Sequence, residues 1–101
     1  MEAMYVIVLD YTAPPDQIDA HLNEHVSWLD QHYADGTFIS SGRREPRTGG
    51  VILARDLPPE QLQDVVAHDP FARHGLASHT VIRFHPSKIA EPLTDHEGLF
   101  R

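Results

Sequence analysis

The sequence predicts an α+β domain whose elements run β-α-β-β-α-β. Three observations carry that prediction. Met4–Tyr11 is a run of β-branched and aromatic residues. Two stretches of helical periodicity each open on a proline pair, Pro14-Pro15 and Pro58-Pro59. Between them, two strand-like runs flank the polar segment 43–49. This order is the split βαβ arrangement of ferredoxin-like domains, with both helices on one face of a four-stranded antiparallel sheet and the first and third strands central.

The first strand, MYVIVLDY, is apolar on both alternating sets, as expected of a strand covered on both faces. Thr12-Ala13-Pro14-Pro15-Asp16 breaks it and opens a helix, because proline is tolerated in a first helical turn. At 100° per residue, Ile18, Leu22, Val26, Leu29 and Tyr33 fall within about an 80° arc. That stripe predicts one amphipathic helix of roughly five turns, ended at Asp35-Gly36, where glycine supplies a left-handed conformation. Segments 37–42 and 50–55 read as an antiparallel hairpin with a polar loop. A shorter helix follows with Leu62, Val65 and Val66 inward, and it stops before Asp69-Pro70 because the residue before a proline is pushed out of the α region. Segment 71–75 reads as a single helical turn, and 78–85 as the last strand, with Thr80, Ile82 and Phe84 on one face. The domain is assigned to residues 1–88. From 89 to 101 the pattern becomes a polar tail with sparse anchors at Ile89, Leu93, Leu99 and Phe100.

The central strands offer apolar residues to both sides: Val6 and Val8 against Ile7 and Leu9, Val51 and Leu53 against Ile52 and Ala54. Helices on one face leave the other uncovered, and monomers rarely expose so large a patch. A second copy packed sheet to sheet is the expected cover, giving a barrel-like homodimer. The tail folding back as a lid is the alternative.

Composition narrows the function classes. The chain has 101 residues and no cysteine, so it is one domain without disulfides, thiolate zinc sites or thiol catalysis. Its formal charge is −7, the wrong sign for sequence-independent phosphate binding, and no nucleic-acid partner is expected. Its longest apolar run, 5–9, is far short of a membrane span, and no signal peptide is visible. The expectation is a cytoplasmic protein with no membrane partner.

Eight histidines are the oddest feature. His21 and His25 have the i, i+4 spacing with which one helix face grips a metal, but His21-Leu22-Asn23-Glu24-His25 lacks the glutamate that a zincin needs at position 22. No metal ligand set is assigned, no cofactor is expected, and His21 and His32 read as solvated flank residues. His25 lies about 20° from Ile18 on the inward stripe. A histidine there is either a core-edge residue bonded to a carbonyl or a general base held by a carboxylate. Asp69 has the same two readings: a turn former before proline, or a carboxylate that reaches the first helix and fixes an imidazole. Arg43, Arg44 and Arg47 make the hairpin loop locally basic, suited to a small anion or simply to solvent. Ser40-Ser41-Gly42 can donate hydroxyl or backbone groups to a ligand. It lacks the G-x-S-x-G elbow, and Gly42 reads as a bulge. Gly49-Gly50 is not a phosphate loop.

Taken together, MYVIVLDY, the segment H-V-S-W-L led by His25, G-T-F-I-S-S-G at 36–42, R-T-G-G-V-I-L-A at 47–54, D-P-F at 69–71 and a strand ending F-H-P-S-K resemble the YCII-related (YciI-like) family of small dimeric α/β-barrel proteins. The resemblance spans residues 4–88 and leaves the tail outside. It implies a paired ferredoxin-like fold and a site built on a His–Asp pair, which maps to His25 and Asp69. It also implies that Ser41, Gly42, Arg43 and Arg47 line the same cleft. Some related proteins dehydrochlorinate hydroxyquinone-type aromatics, and distant barrel relatives isomerise muconolactones. This chain carries Arg43 where proline often follows the Ser-Gly pair, so substrate shape does not transfer.

The resulting expectation is a cofactor-independent enzyme of lyase or isomerase type for a small, anionic or hydroxylated aromatic molecule. His25 is the base, Asp69 its partner, and Arg43 and Arg47 hold an oxyanion or carboxylate. The rival class is a non-catalytic dimeric module that binds a small ligand.

Overall fold

The computed structural model of the chain describes residues 2–90. Eight elements follow one another: β1 (Met4–Tyr11), α1 (Pro15–Ala20), α2 (Leu22–Ala34), β2 (Phe38–Arg43), β3 (Gly49–Arg55), α3 (Pro59–Ala67), α4 (Pro70–Arg73) and β4 (Ala77–Phe84). The strands form one antiparallel sheet in the order β2-β3-β1-β4. This is the α+β, ferredoxin-like arrangement expected, with β1 and β3 central. The predicted anchors Leu93, Leu99 and Phe100 lie outside the described residues.

Strand alternation divides the sheet into two unlike faces. Tyr5, Ile7, Leu9, Ile52 and Ala54 are buried and join Ile18, Trp28, Leu62, Val66 and Phe71 in the core between sheet and helices. On the opposite face Val6, Val8, Val51 and Leu53 are half-buried, and beside them Ile82 and Phe84 keep 48% and 38% of their surface exposed.

The first helical region differs from the single long helix expected. His21 ends α1 and begins α2, with φ −109° and ψ 8°. Its amide bonds back to Ile18, and the i→i−4 ladder resumes only with the His25 amide on the His21 carbonyl. The break turns α2 so that His25, Trp28 and His32 are buried. Leu22, Val26 and Tyr33, predicted as core, are exposed. His32, expected in solvent, instead bonds Asp35 through Nδ1 and packs between Trp28 and Phe38.

Two local devices position the hairpin. The bulge expected at Gly42 falls instead between Phe38 and Ser40, while Gly42 pairs in register with Val51. The extra residue lets Phe38 and Ser41, opposite Ala54 and Ile52, share the helix-facing side. Gly49 is glycine for a steric reason: a Cβ there would lie 1.7 Å from the Leu9 carbonyl oxygen.

Candidate active site

Asp69 is where α3, α4 and β4 converge, and its side chain is fully buried. It is the N-cap of α4, with Oδ1 accepting the Phe71 amide at 3.0 Å. Proline in the first turn of α4 and the cap hold the carboxylate in one orientation. The same Oδ1 takes the Nδ1 of His25 at 2.8 Å. Oδ2 takes the Nε2 of His79 at 2.7 Å. The two sequence readings of Asp69 are therefore both realised, because the turn-forming cap aims the carboxylate at the imidazole.

Burial alone would push the Asp69 carboxyl up. The hydrogen bonds from His25 and His79, the electrostatic attraction of His25 and the Phe71 amide outweigh it and hold the group below the ordinary carboxylate range. An ionised Asp69 accepts Nδ1–H of His25, so the ring's acceptor lone pair lies on Nε2. Nε2 has no protein partner among the described residues. Phe71 stacks on the imidazole at 4.1 Å between centroids and 8° between planes, which fixes the ring's second degree of freedom.

His25 opens onto a cavity of about 290 Å³ between α2 and the sheet. Leu22, Val26 and Leu29 form the apolar wall on the helix side, so the stripe predicted as core is mostly the lining of a cleft. Leu9, Tyr11 and Ile52 line it from the sheet, and Ser41, Gly42 and Arg43 from β2. The Tyr33 hydroxyl and Ser41 Oγ lie 2.7 Å apart and tie α2 to β2.

The loop arginines divide. Arg44 pairs with Asp10. Arg47 bonds Asp19 at 2.6 Å and sits 5.9 Å over the Tyr11 ring, so it is not brought to the cavity wall as expected. Of the three, Arg43 alone has no ion pair among the described residues, and it reaches both the cavity and the basic hollow of the loop. In a chain of net charge −7 it places a positive charge at the cavity wall.

A larger groove, about 490 Å³, runs between α2 and α3. Several of its polar groups are already satisfied: Trp28 Nε1 by the Val65 carbonyl, His68 Nδ1 by the Asp64 carbonyl, and His32 by Asp35. It offers no buried acid–base pair. The His21–His25 pair is not extended to a three-ligand set either: His25 joins no metal-ligating cluster among the described residues.

His79 was not singled out in the sequence. The available signal was alternation: in β4, Thr80, Ile82 and Phe84 share one face, which leaves His79 with Val81 on the side of the helices. Its side chain is only 5% exposed.

The sequence pattern of the YCII-related domain matches residues 4–85. The chain belongs to the YCII-related family. No curated protein matches this YCII-related chain in sequence. Among solved structures, the 5-chloro-2-hydroxyhydroquinone dehydrochlorinase TftG of Burkholderia phenoliruptrix, in complex with 2,5-dihydroxybenzoquinone, is similar with a TM-score of 0.69. That likeness has 17% identity and covers 81% of this chain and 93% of the other. A variant of SnoaB, a cofactor-independent oxygenase of Streptomyces nogalater, gives 0.50 at 12% identity over 89% and 97% of the two chains. At these identities the likeness is one of fold. Among the described residues, no helix of this YCII-related domain is long and apolar enough to cross a membrane.

Proposed function

We propose that this YCII-related protein is a cofactor-independent enzyme of lyase or isomerase type, dehydrochlorination included, acting on a small hydroxylated or anionic aromatic molecule. One observation carries the reading: His25, held through Nδ1 by a buried carboxylate at 2.8 Å, lines a cavity of about 290 Å³. That volume sits at the lower edge of small-molecule pockets, roughly 300–1,000 Å³, and suits one substituted ring.

In this mechanism His25 Nε2 removes a proton from a hydroxyl, or from a carbon next to a carbonyl. The electron pair released moves into the ring system and expels an anionic leaving group such as chloride, giving product plus HX. With no leaving group, the proton returns at another carbon and the product is an isomer. Asp69 keeps the base in the required tautomer and stabilises the imidazolium that forms. Arg43 holds a carboxylate or oxyanion, and Ser41 donates a hydroxyl at the rim. Arg47 supports that rim through Tyr11.

The uncovered sheet face of Val6, Val8, Val51, Leu53, Ile82 and Phe84 is assigned to a second copy, making the protein a homodimer.

The test is to titrate the protein with phenolic acids and hydroxyquinones, following both binding and product. Conversion of a bound ligand, with affinity weakened about tenfold or more in Arg43→Ala, is the expected result. Saturable binding without conversion across the set identifies a binding module instead.

A further inference from the structure

A second cluster of metal-ligating side chains lies above the candidate active site, between α2 and α4. His21 and Glu24 stand in the α1–α2 junction and the first turn of α2, and His74 caps the C-terminus of α4. His21 Nδ1 is 3.5 Å from Glu24 Oε1, and Glu24 Oε2 is 3.6 Å from His74 Nε2. The ligand atoms all fall within 4.8 Å of one another.

These separations are too long for good direct hydrogen bonds. The two contacts run to different oxygens of Glu24, and each is close to a donor–donor separation of about 3.4 Å, as for nitrogen and oxygen donors about 2.0–2.1 Å from zinc. A second observation points the same way. His21 Nδ1 is buried and has no hydrogen-bond partner among the described residues, although buried nitrogens are normally satisfied. The His21 and His74 rings stand 4.1 Å apart between centroids, close enough for one ion to reach a nitrogen of each. A Lewis acid shared by the two nitrogens and the carboxylate gives the unpartnered His21 nitrogen its missing contact.

We propose that His21, Glu24 and His74 bind one divalent transition-metal ion, with Zn²⁺ the best match to a His₂Glu donor set and solvent completing the coordination. The sequence spacing pointed to His21 with His25; the fold replaces His25 by Glu24 and His74. The ion clamps α4 onto α2. Asp69 and His74 flank the two ends of the four-residue α4, so the clamp and the His25–Asp69 contact are adjacent rungs between the same two elements. The clamp is structural and stands independently of the proposed reaction.

The full chain without an affinity tag is titrated with Co²⁺, read by its visible ligand-field bands, and with Zn²⁺ by calorimetry and by competition against bound Co²⁺. One ion per chain is expected, together with a metal-dependent rise in Tm. His74→Ala and Glu24→Gln, both at exposed positions, are each expected to weaken binding tenfold or more while circular dichroism stays unchanged. His25→Ala is expected to retain the ion. Absence of saturable binding overturns the proposal, as does affinity unchanged in His74→Ala and Glu24→Gln. Loss of the ion in His25→Ala overturns it equally, by moving the site to the i, i+4 pair.

Discussion

His25 Nδ1 and Asp69 Oδ1 meet at 2.8 Å across 44 positions of sequence, and the same oxygen caps α4 by accepting the Phe71 amide. The carboxylate is thus oriented by local backbone geometry, while the imidazole is brought to it by the packing of α2 against α4. Neither α2 nor α4 alone makes the pair.

Acid should weaken the fold through Asp69. Its folded-state carboxyl lies below the ordinary value of 3.8, so the stabilisation is complete above that value and is lost as pH falls through the lower folded one. Tm should therefore decline below about pH 4. Asp69→Asn should lower Tm at neutral pH, and its gap to the wild type should narrow in acid. Asp69→Ala, which also leaves two imidazoles and an amide unpaired, should cost about 3–5 kcal/mol. Denaturant titration from pH 7 to 3 checks the sign and the size.

His79 acts through Asp69 as a positioning residue. Removing its Nε2 frees one carboxylate oxygen inside the protein. His79→Ala should lower kcat about 10–100-fold with a smaller effect on KM, as for other groups that orient a ligating or catalytic side chain. His79→Gln, whose amide nitrogen can replace Nε2, should recover part of that loss. A loss of stability alone, without recovery by glutamine, contradicts the role.

Much of this arrangement was legible in the sequence, and the failures have physical causes. β1, α3 and α4 follow from β-branched content, proline placement and the Asp69-Pro70 stop, all local effects. The α1–α2 break is hidden because the apolar spacing runs unbroken through His21. On the true inner face of α2, His25 was read as inward, whereas Trp28 and His32 are rings with polar atoms, which a hydrophobic stripe discounts. Leu22 and Val26 obey the stripe yet face a cleft, a distinction that depends on tertiary context. His79 is a single polar residue on an inward strand position, and its partner lies 10 residues earlier in a different element.

Two glycines should respond in opposite ways. Gly49→Ala places a methyl group 1.7 Å from the Leu9 carbonyl oxygen, forcing the β1–β3 register to yield, and should destabilise by about 1–3 kcal/mol or more. A Cβ at Gly42 meets nothing within 4 Å, so Gly42→Ala should keep its stability within about 0.5 kcal/mol. Because Gly42 pairs with Val51, the added methyl projects from the outer sheet face and should leave the affinity for a ring substrate unchanged. Thermal unfolding and ligand titration on the same two proteins separate the effects.

The apolar outer face predicts the oligomeric state. Ile82, with 48% of its surface exposed, should be covered by a second copy in solution. Sedimentation should give about twice the 11.4 kDa chain mass, and Ile82→Glu should give the single chain with its secondary structure intact. A monomeric wild type assigns that face to something else.

The most direct measurement compares wild type and His25→Ala on a panel of chlorinated and unchlorinated hydroxyquinones, following chloride release and product absorbance. The account predicts turnover by the wild type and a rate lower by about 10²–10⁴-fold in the variant, with ligand still bound. Equal turnover by the two proteins, or saturable binding across the panel with no product from either, contradicts it.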